Sequence, residues 1–120
     1  MSNSSTEKKG LQAVIAHEMK AGRKVERVHR CGYDILSRGK DQERHIEVKT
    51  TGKSSFAYRW LEQLEYDALQ KDENFWVYLV TDANGDHPRV RELSAEQVKK
   101  RRWGEVTHYV FDFSEPGEDS

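Results

Sequence analysis

The chain has 120 residues, of which 35% are hydrophobic and 34% are charged, and its formal net charge is −1. This length allows one domain with a modest core and excludes two such domains. A membrane-spanning helix is excluded because no run of about 18 apolar residues occurs, and residues 1–10 lack the apolar centre of a secretory signal. The lone cysteine, Cys31, excludes an internal disulfide bond and fits a reducing compartment. We therefore expect a cytoplasmic or nucleoid-associated protein without membrane contact.

Charge is distributed unevenly along the chain. Residues 112–120 contain four acids and no base, whereas residues 1–111 contain 20 bases and 17 acids. We expect a flexible leader over residues 1–10, a single domain over residues 11–113 and a flexible acidic tail over residues 114–120. The mildly basic domain is compatible with a polyanionic partner.

The first half of the domain predicts one helix followed by three strands. Apolar residues at positions 11, 14, 15 and 19 recur at the helical spacing, and Gly22 fits a helix stop. Short runs with strand character follow at 24–30, 31–37 and 44–51, with a turn before the third. Consecutive strands without a helix between them predict an antiparallel meander.

The second half returns to helical periodicity over residues 57–73. The most apolar run, 75–81, predicts a strand buried on both faces. A short strand at 89–93, a helix over 94–103 and a last strand over 106–113 follow, and Ser94 with Gln97 has the spacing of a capping box. The order predicts an α/β fold with an α-β-β-β-α-β core, a mixed sheet flanked by helices and a C-terminal β-α-β extension.

The third predicted strand, in "RHIEVKTTG", carries the candidate chemistry. Residues two apart share a face of a strand, so Glu47 and Lys49 point to the same side. If the second and third strands pair through their turn, Asp34 comes opposite Glu47. Facing carboxylates repel unless a cation lies between them, and Mg²⁺ prefers oxygen ligands. The alternative is that these residues are surface charges, as on an exposed edge strand, or an ion pair.

Two helical carboxylates extend this candidate site. Glu18 lies in the apolar stripe of the first helix, and Glu65 lies between Leu61 and Leu69 on the second. A buried carboxylate is costly unless it is paired or binds a metal. We expect Glu18 to be an auxiliary ligand or an orienting group, with Glu65 as a weaker candidate. Each could instead lie at the wet margin of its stripe or pair with a lysine or arginine.

A family resemblance adds to these observations. The segment "GYDILSRGKDQERHIEVKT" resembles the sequence core of the PD-(D/E)xK nuclease superfamily, whose fold is restriction endonuclease-like. More narrowly, "GYDI", "IEVKTTG", Glu65 and "FWVYLVTDA" resemble the NO VEIN C-terminal-like domain family, over about residues 11–84. The chain departs from the superfamily pattern at Tyr33, where the motif has proline. Its "QLEY" is also not the Gln-x-x-x-Tyr of exonuclease-like branches.

The resemblance implies hydrolysis of phosphodiester bonds that depends on Mg²⁺ or Mn²⁺. It implies Asp34, Glu47 and the Val48 carbonyl as metal ligands, and Lys49 as a catalytic residue. Glu18 matches an acid that some members add on the first helix. We interpret the chain as a metal-dependent DNA endonuclease. An inactive nuclease-fold module that binds nucleic acid or a protein partner is the alternative, and the residues do not separate DNA from RNA.

Basic and aromatic residues are candidates for nucleic-acid contact. They lie around the first strand, after the third strand and at the end of the last helix. The candidates are Arg23, Lys24, Lys53, Tyr58, Arg59, Lys99, Lys100, Arg101 and Arg102. Alternatively, the aromatic residues after the third strand cap the core, and the basic residues at the end of the last helix form a solvated face. A homodimer or a partner protein would supply specificity.

Overall fold

The computed structural model describes residues 2–28, 32–56, 59 and 61–101 of the protein. It has the predicted α/β architecture, a mixed five-stranded sheet flanked by helices. The elements are α1 (Ser2–Lys20), β1 (Lys24–Arg27), β2 (Ile35–Arg38), β3 (Glu43–Thr50), α2 (Gln63–Lys71), β4 (Phe75–Thr81), β5 (Arg89–Ser94) and α3 (Ala95–Lys99). The strand predicted at 106–113 and the tail predicted at 114–120 lie outside the described residues, as does Cys31. Among the helices described, none has the length and apolar character needed to span a bilayer.

The sheet has the strand order β1-β2-β3-β4-β5, so β3 is its central strand. The meander of β1, β2 and β3 is antiparallel as predicted, whereas β3 and β4 are parallel. Helix α2 forms the crossover that a parallel pair requires. The interpretation of "RHIEVKTTG" as an exposed edge strand is therefore wrong.

Side chains alternate between the two faces of β3, and each face has its own core. Ile46 and Val48 face α1 and pack in a cluster that includes the fully buried Val14 and Tyr78. The opposite face packs against α2 and α3 through a cluster built on Leu69, Phe75 and Val77. Glu47 and Lys49 point to this second face, where Lys49 reaches Glu65 of α2. The strand pattern thus places two charged side chains beneath α2.

Two element boundaries follow from local hydrogen bonds. The α3 capping box is confirmed, because the Gln97 N–H donates to Ser94 Oγ at 3.2 Å and Gln97 accepts from the Ser94 N–H at 2.9 Å. Helix α2 is shorter than the predicted 57–73 and begins at Gln63. There the Glu65 carboxylate accepts the N–H of Glu62 at 3.0 Å, which satisfies an unpaired donor at the helix start.

The segment expected to be a flexible leader is helical from Ser2, and this corrects the predicted boundary at residue 11. The first half of α1 has no apolar residues at helical spacing, because it contacts the rest of the protein through small or polar groups. Gly10 is buried against Thr50 of β3, and Asn84 donates to Thr6 Oγ1 at 3.2 Å. These contacts fix the early helix against the end of the sheet.

We predict that Gly10→Ala destabilises the protein, although alanine normally stabilises a helix interior by about 1 kcal/mol relative to glycine. A Cβ at this position would lie 1.9 Å from Thr50 Oγ1 and 2.7 Å from Thr50 Cβ. Overpacking of this kind lowers the free energy of unfolding by roughly 1–3 kcal/mol, measurable by urea denaturation. The exposed Gln12→Ala in the same helix is the control, with a change below about 0.5 kcal/mol. Stabilisation by Gly10→Ala would contradict the packing.

Candidate functional site

Asp34 lies immediately before β2 and faces the middle of β3. The register of β2 on β3 ends at the Ile35–Ile46 pair, so β3 continues past β2 through Thr50. The Asp34 N–H donates to the Ile46 carbonyl at 2.8 Å, and Asp34 Oδ2 accepts the Val48 N–H at 2.9 Å. The main chain of β3 thus holds the Asp34 carboxylate beside the residue that follows Glu47.

The Val48 carbonyl borders the same gap. The N–H and C=O of a strand residue point to the same side of the strand. Because the Val48 N–H points to Asp34, the Val48 carbonyl also points to that side. The structure therefore brings together the three groups expected to hold a metal, namely the Asp34 and Glu47 carboxyls and the Val48 carbonyl.

Glu65 of α2 completes this group, and we call Asp34, Glu47 and Glu65 the carboxylate cluster. Lys49 lies within it, with Nζ 2.9 Å from Glu65 Oε1 and 3.3 Å from Glu47 Oε2. The side chains of Glu65 and Lys49 are each 16% exposed, and that of Glu47 is 6% exposed. Glu65, the weaker candidate of the sequence, is thus in direct contact with the predicted catalytic lysine.

The carboxylate cluster carries more negative charge than Lys49 compensates. Burial, and then the negative charges of Asp34 and Glu65, raise the pKa of Glu47 to about 9. Burial also raises the pKa of Asp34, although its bond from the Val48 N–H opposes the effect. In the absence of a bound cation, Glu47 therefore binds a proton more tightly than an ordinary glutamate does.

Lys49 keeps its proton in this environment. Burial alone would lower the pKa of its ammonium, but the hydrogen bond to Glu65 and the charges of Glu47 and Glu65 outweigh it, and the pKa is raised. Lys49 is therefore a cation near neutral pH. It can donate hydrogen bonds and offset negative charge, and it does not accept a proton as a base.

A cleft of about 490 Å³ opens beside the carboxylate cluster. It is lined by Arg27, Val28, Gly32, Tyr33, Asp34, Glu47, Glu62, Gln63, Leu64 and Glu65. Apart from Asp34, Glu47 and Glu65, these residues had not been identified as site residues from the sequence. They include Arg27 and also Leu64, which is 64% exposed. Pairing of β1 with β2 brings Arg27 opposite Ile35, next to Asp34, so a correct strand register could have revealed it.

Glu18 does not join the carboxylate cluster, contrary to its expected role as an auxiliary ligand. It is fully buried on the α1 face, where it accepts hydrogen bonds from Arg23 at 2.9 Å, Ser37 at 2.8 Å and Tyr78 at 2.8 Å. Ser37 shares the α1 face with Ile35, whereas Glu47 points to the α2 face. The sheet thus separates Glu18 from the cleft, and the arginine pairing left open by the sequence is the one observed.

A second group of potential metal ligands occurs on the α1 face. Ligand atoms of His17, Glu18 and Glu92 lie within 4.8 Å of one another. However, Glu92 accepts from Arg44 Nη1 at 2.7 Å and contacts His17 Nε2 at 2.7 Å, while Glu18 is paired with Arg23. Each carboxylate here already has a cationic partner, so this group has less need of a metal than the carboxylate cluster.

Two of the basic candidates follow β3 and lie near its carboxyl end. Lys53 is exposed, and its carbonyl accepts the Asp82 N–H at 2.8 Å. Arg59 donates to the Thr50 carbonyl and lies over the Phe56 ring, 5.1 Å from its centroid. These contacts orient the loop that leaves the strand bearing Lys49.

The other basic candidates are distributed over separate parts of the surface. Arg23 is tied to Glu18 on the α1 face, and Lys24 is exposed on the edge strand β1. The exposed cations at the end of α3 are Lys99, Lys100 and Arg101. Tyr58 and Arg102 lie outside the described residues.

We predict that Glu47→Gln stabilises the cation-free protein and does so increasingly with pH. Folded Glu47, with a pKa of about 9 against an ordinary 4.5, binds a proton more tightly than the unfolded chain does. Its contribution to stability therefore falls as pH rises from about 4.5 towards 9. The neutral glutamine removes this penalty, so in EDTA the unfolding free energy should rise little at pH 5 and by up to about 4 kcal/mol more at pH 8.

Urea denaturation of both proteins at the two pH values measures this difference. The exposed Glu73→Gln is the matched control for loss of a carboxylate. An equal effect of Glu47→Gln at pH 5 and pH 8 would contradict the charge distribution described for the cluster.

Comparison with known proteins identifies the family. Residues 6–93, which run from within α1 to within β5, match the family described as Protein NO VEIN, C-terminal. No curated protein and no solved structure matches the chain. The matched segment contains the carboxylate cluster and Lys49 and covers most of the 120 residues. The chain therefore belongs to the NO VEIN C-terminal family.

Proposed function

We propose that this domain is a metal-dependent nuclease of the PD-(D/E)xK superfamily, and specifically a DNA endonuclease. The observation that carries the proposal is the excess of carboxyl groups around Lys49 at the edge of an open cleft. Paired carboxyls can hold a cation for metal-assisted phosphodiester hydrolysis, and a neighbouring lysine can offset the charge that develops in the transition state. On the α1 face, by contrast, Glu18 and Glu92 are already paired with arginines.

The groups beside the cleft fit a hard divalent cation. Asp34, Glu47 and the Val48 carbonyl supply oxygen donors, which Mg²⁺ and Mn²⁺ prefer over softer ligands. Burial and the neighbouring carboxylates together raise the pKa of Glu47, and a cation there would offset both effects and favour its ionised form. When bound, such an ion polarises a phosphoryl oxygen and lowers the pKa of a coordinated water.

The chain itself supplies the remaining functions. Lys49, a cation near neutral pH, offsets the negative charge that develops on the phosphoryl oxygens in the transition state. Its proposed role is therefore electrostatic and not that of a base. Of the described residues that line the cleft, Arg27 is the one cation, and its guanidinium can donate two hydrogen bonds to a substrate phosphate. Lys53 and Arg59 extend the basic surface beyond β3.

We predict that Mn²⁺ raises the melting temperature of the wild type and that Asp34→Asn abolishes the rise. A ligand present at 100 times its Kd for the folded state stabilises that state by about 2.7 kcal/mol.

The same wild-type protein should nick circular DNA in Mg²⁺ or Mn²⁺ but not in EDTA, whereas Asp34→Asn and Lys49→Ala should reduce the rate of nicking by a factor of roughly 100 or more. Single-stranded, duplex and branched DNA and a structured RNA serve as the substrates.

Glu18→Gln is the informative control, because it removes a carboxylate that lies on the other face of the sheet. It should lower stability through the weakened contact with Arg23 and leave the Mn²⁺-induced rise intact. Loss of the rise in Glu18→Gln, or its persistence in Asp34→Asn, would contradict the proposed site. Binding of Mn²⁺ without cleavage of any of these substrates would contradict the nuclease and indicate a module that only binds.

A further inference from the structure

Lys49 is held by carboxylates from two different elements. Glu47, on the same strand, lies 3.3 Å from Nζ, whereas Glu65 reaches Nζ from α2 at 2.9 Å. The Glu65 contact is thus the shorter of the two, and it connects Lys49 to the helix. Because the side chains of Lys49 and Glu65 are each mostly buried, the contact is more strongly shielded from solvent than a surface ion pair.

The same Glu65 oxygen has a second partner. Oε1 accepts the Glu62 N–H at 3.0 Å, which fixes the carboxylate at the first turn of α2. Oε1 is therefore committed to an ammonium and an amide. A metal would have to bind through Oε2 or displace these donors, so the arrangement suits an acceptor that orients a lysine.

The two carboxylates next to Lys49 have different tasks in the proposed site. If Glu47 holds a cation, its oxygens turn from the ammonium to the ion, and the Glu47–Lys49 contact weakens. Glu65 then becomes the group that holds Nζ in place beside the carboxylate cluster. A lysine on a flexible stem gains most from such a fixed partner, because orientation of a catalytic group contributes directly to rate.

We infer that Glu65 is the positioning residue for Lys49 and is not a metal ligand, an inference that rests on the proposed nuclease function. Its hydrogen bond to the Glu62 N–H also couples Lys49 to the start of α2. The next residues of that helix, Gln63 and Leu64, line the cleft. A substrate in the cleft therefore contacts the same helical turn that orients the lysine.

Glu65→Gln and Glu65→Ala test this inference. Glutamine retains an oxygen that can accept from the Glu62 N–H and from Lys49, so it preserves the helix start while it removes the charge. We expect kcat to fall about 10-fold in Glu65→Gln and about 100-fold or more in Glu65→Ala, with KM within about twofold of the wild type. The Mn²⁺-induced rise in melting temperature should be kept in Glu65→Gln. Glu73→Gln, which is exposed, is the control.

A measurement without metal or substrate separates this inference from the proposed function. In ¹⁵N-labelled, cation-free protein, the Lys49 ammonium should give a protected NMR signal that shifts in Glu65→Gln and is lost in Glu65→Ala. Loss of the Mn²⁺ response in Glu65→Gln would make Glu65 a ligand and overturn the inference. So would an unchanged Lys49 signal or an unchanged kcat in Glu65→Ala. A wild type that cleaves nothing, with the Lys49 signal as expected, would contradict the nuclease and leave the Glu65 contact established.

Discussion

The arrangement of this domain depends on a surplus of negative charge beneath α2. Glu47 and Glu65 bring their carboxyl groups to the Lys49 ammonium, and burial together with the negative charges of Asp34 and Glu65 raises the pKa of Glu47 to about 9. Such a cluster lowers the stability of the folded chain in the absence of a cation. The cluster lies on a central strand beside an open cleft, and its oxygen donors fit the divalent cation that we propose as its ligand.

The buried carboxylates on the two faces of the sheet differ in how their charge is compensated. On the α1 face, Glu18 is more deeply buried than Glu47, yet it has Arg23, Ser37 and Tyr78 as hydrogen-bond donors. Those donors compensate the charge of Glu18 from within the protein and tie α1 to β2 and β4. The buried carboxylate that is fully hydrogen-bonded stabilises the fold, and the one that faces other carboxylates marks the candidate site.

Much of this could be predicted from the sequence. The period of two along β3 places Glu47 with Lys49, and the short turn after β2 brings Asp34 opposite them. Burial of Glu18 was also predictable from its apolar stripe, but the stripe does not reveal which sheet face a helix covers, so Glu18 was wrongly assigned to the site. The polar first half of α1 was missed because Gly10 packs closely against Thr50 without burying an apolar side chain. The sequence therefore shows no apolar helical spacing there. The position of Arg27 beside Asp34 follows from the pairing register of β1 with β2. The alternation of apolar and polar residues in the sequence does not define that register.

The most direct test of the central claim is a crystal structure grown with Mn²⁺, with anomalous diffraction to locate the ion. The surplus of carboxyl groups predicts a peak between Asp34 and Glu47 that is also in contact with the Val48 carbonyl, with Lys49 still bound to Glu65. Two results would contradict the claim. One is a peak that occurs only beside His17 and Glu92, and the other is no peak between Asp34 and Glu47 at a saturating concentration of Mn²⁺.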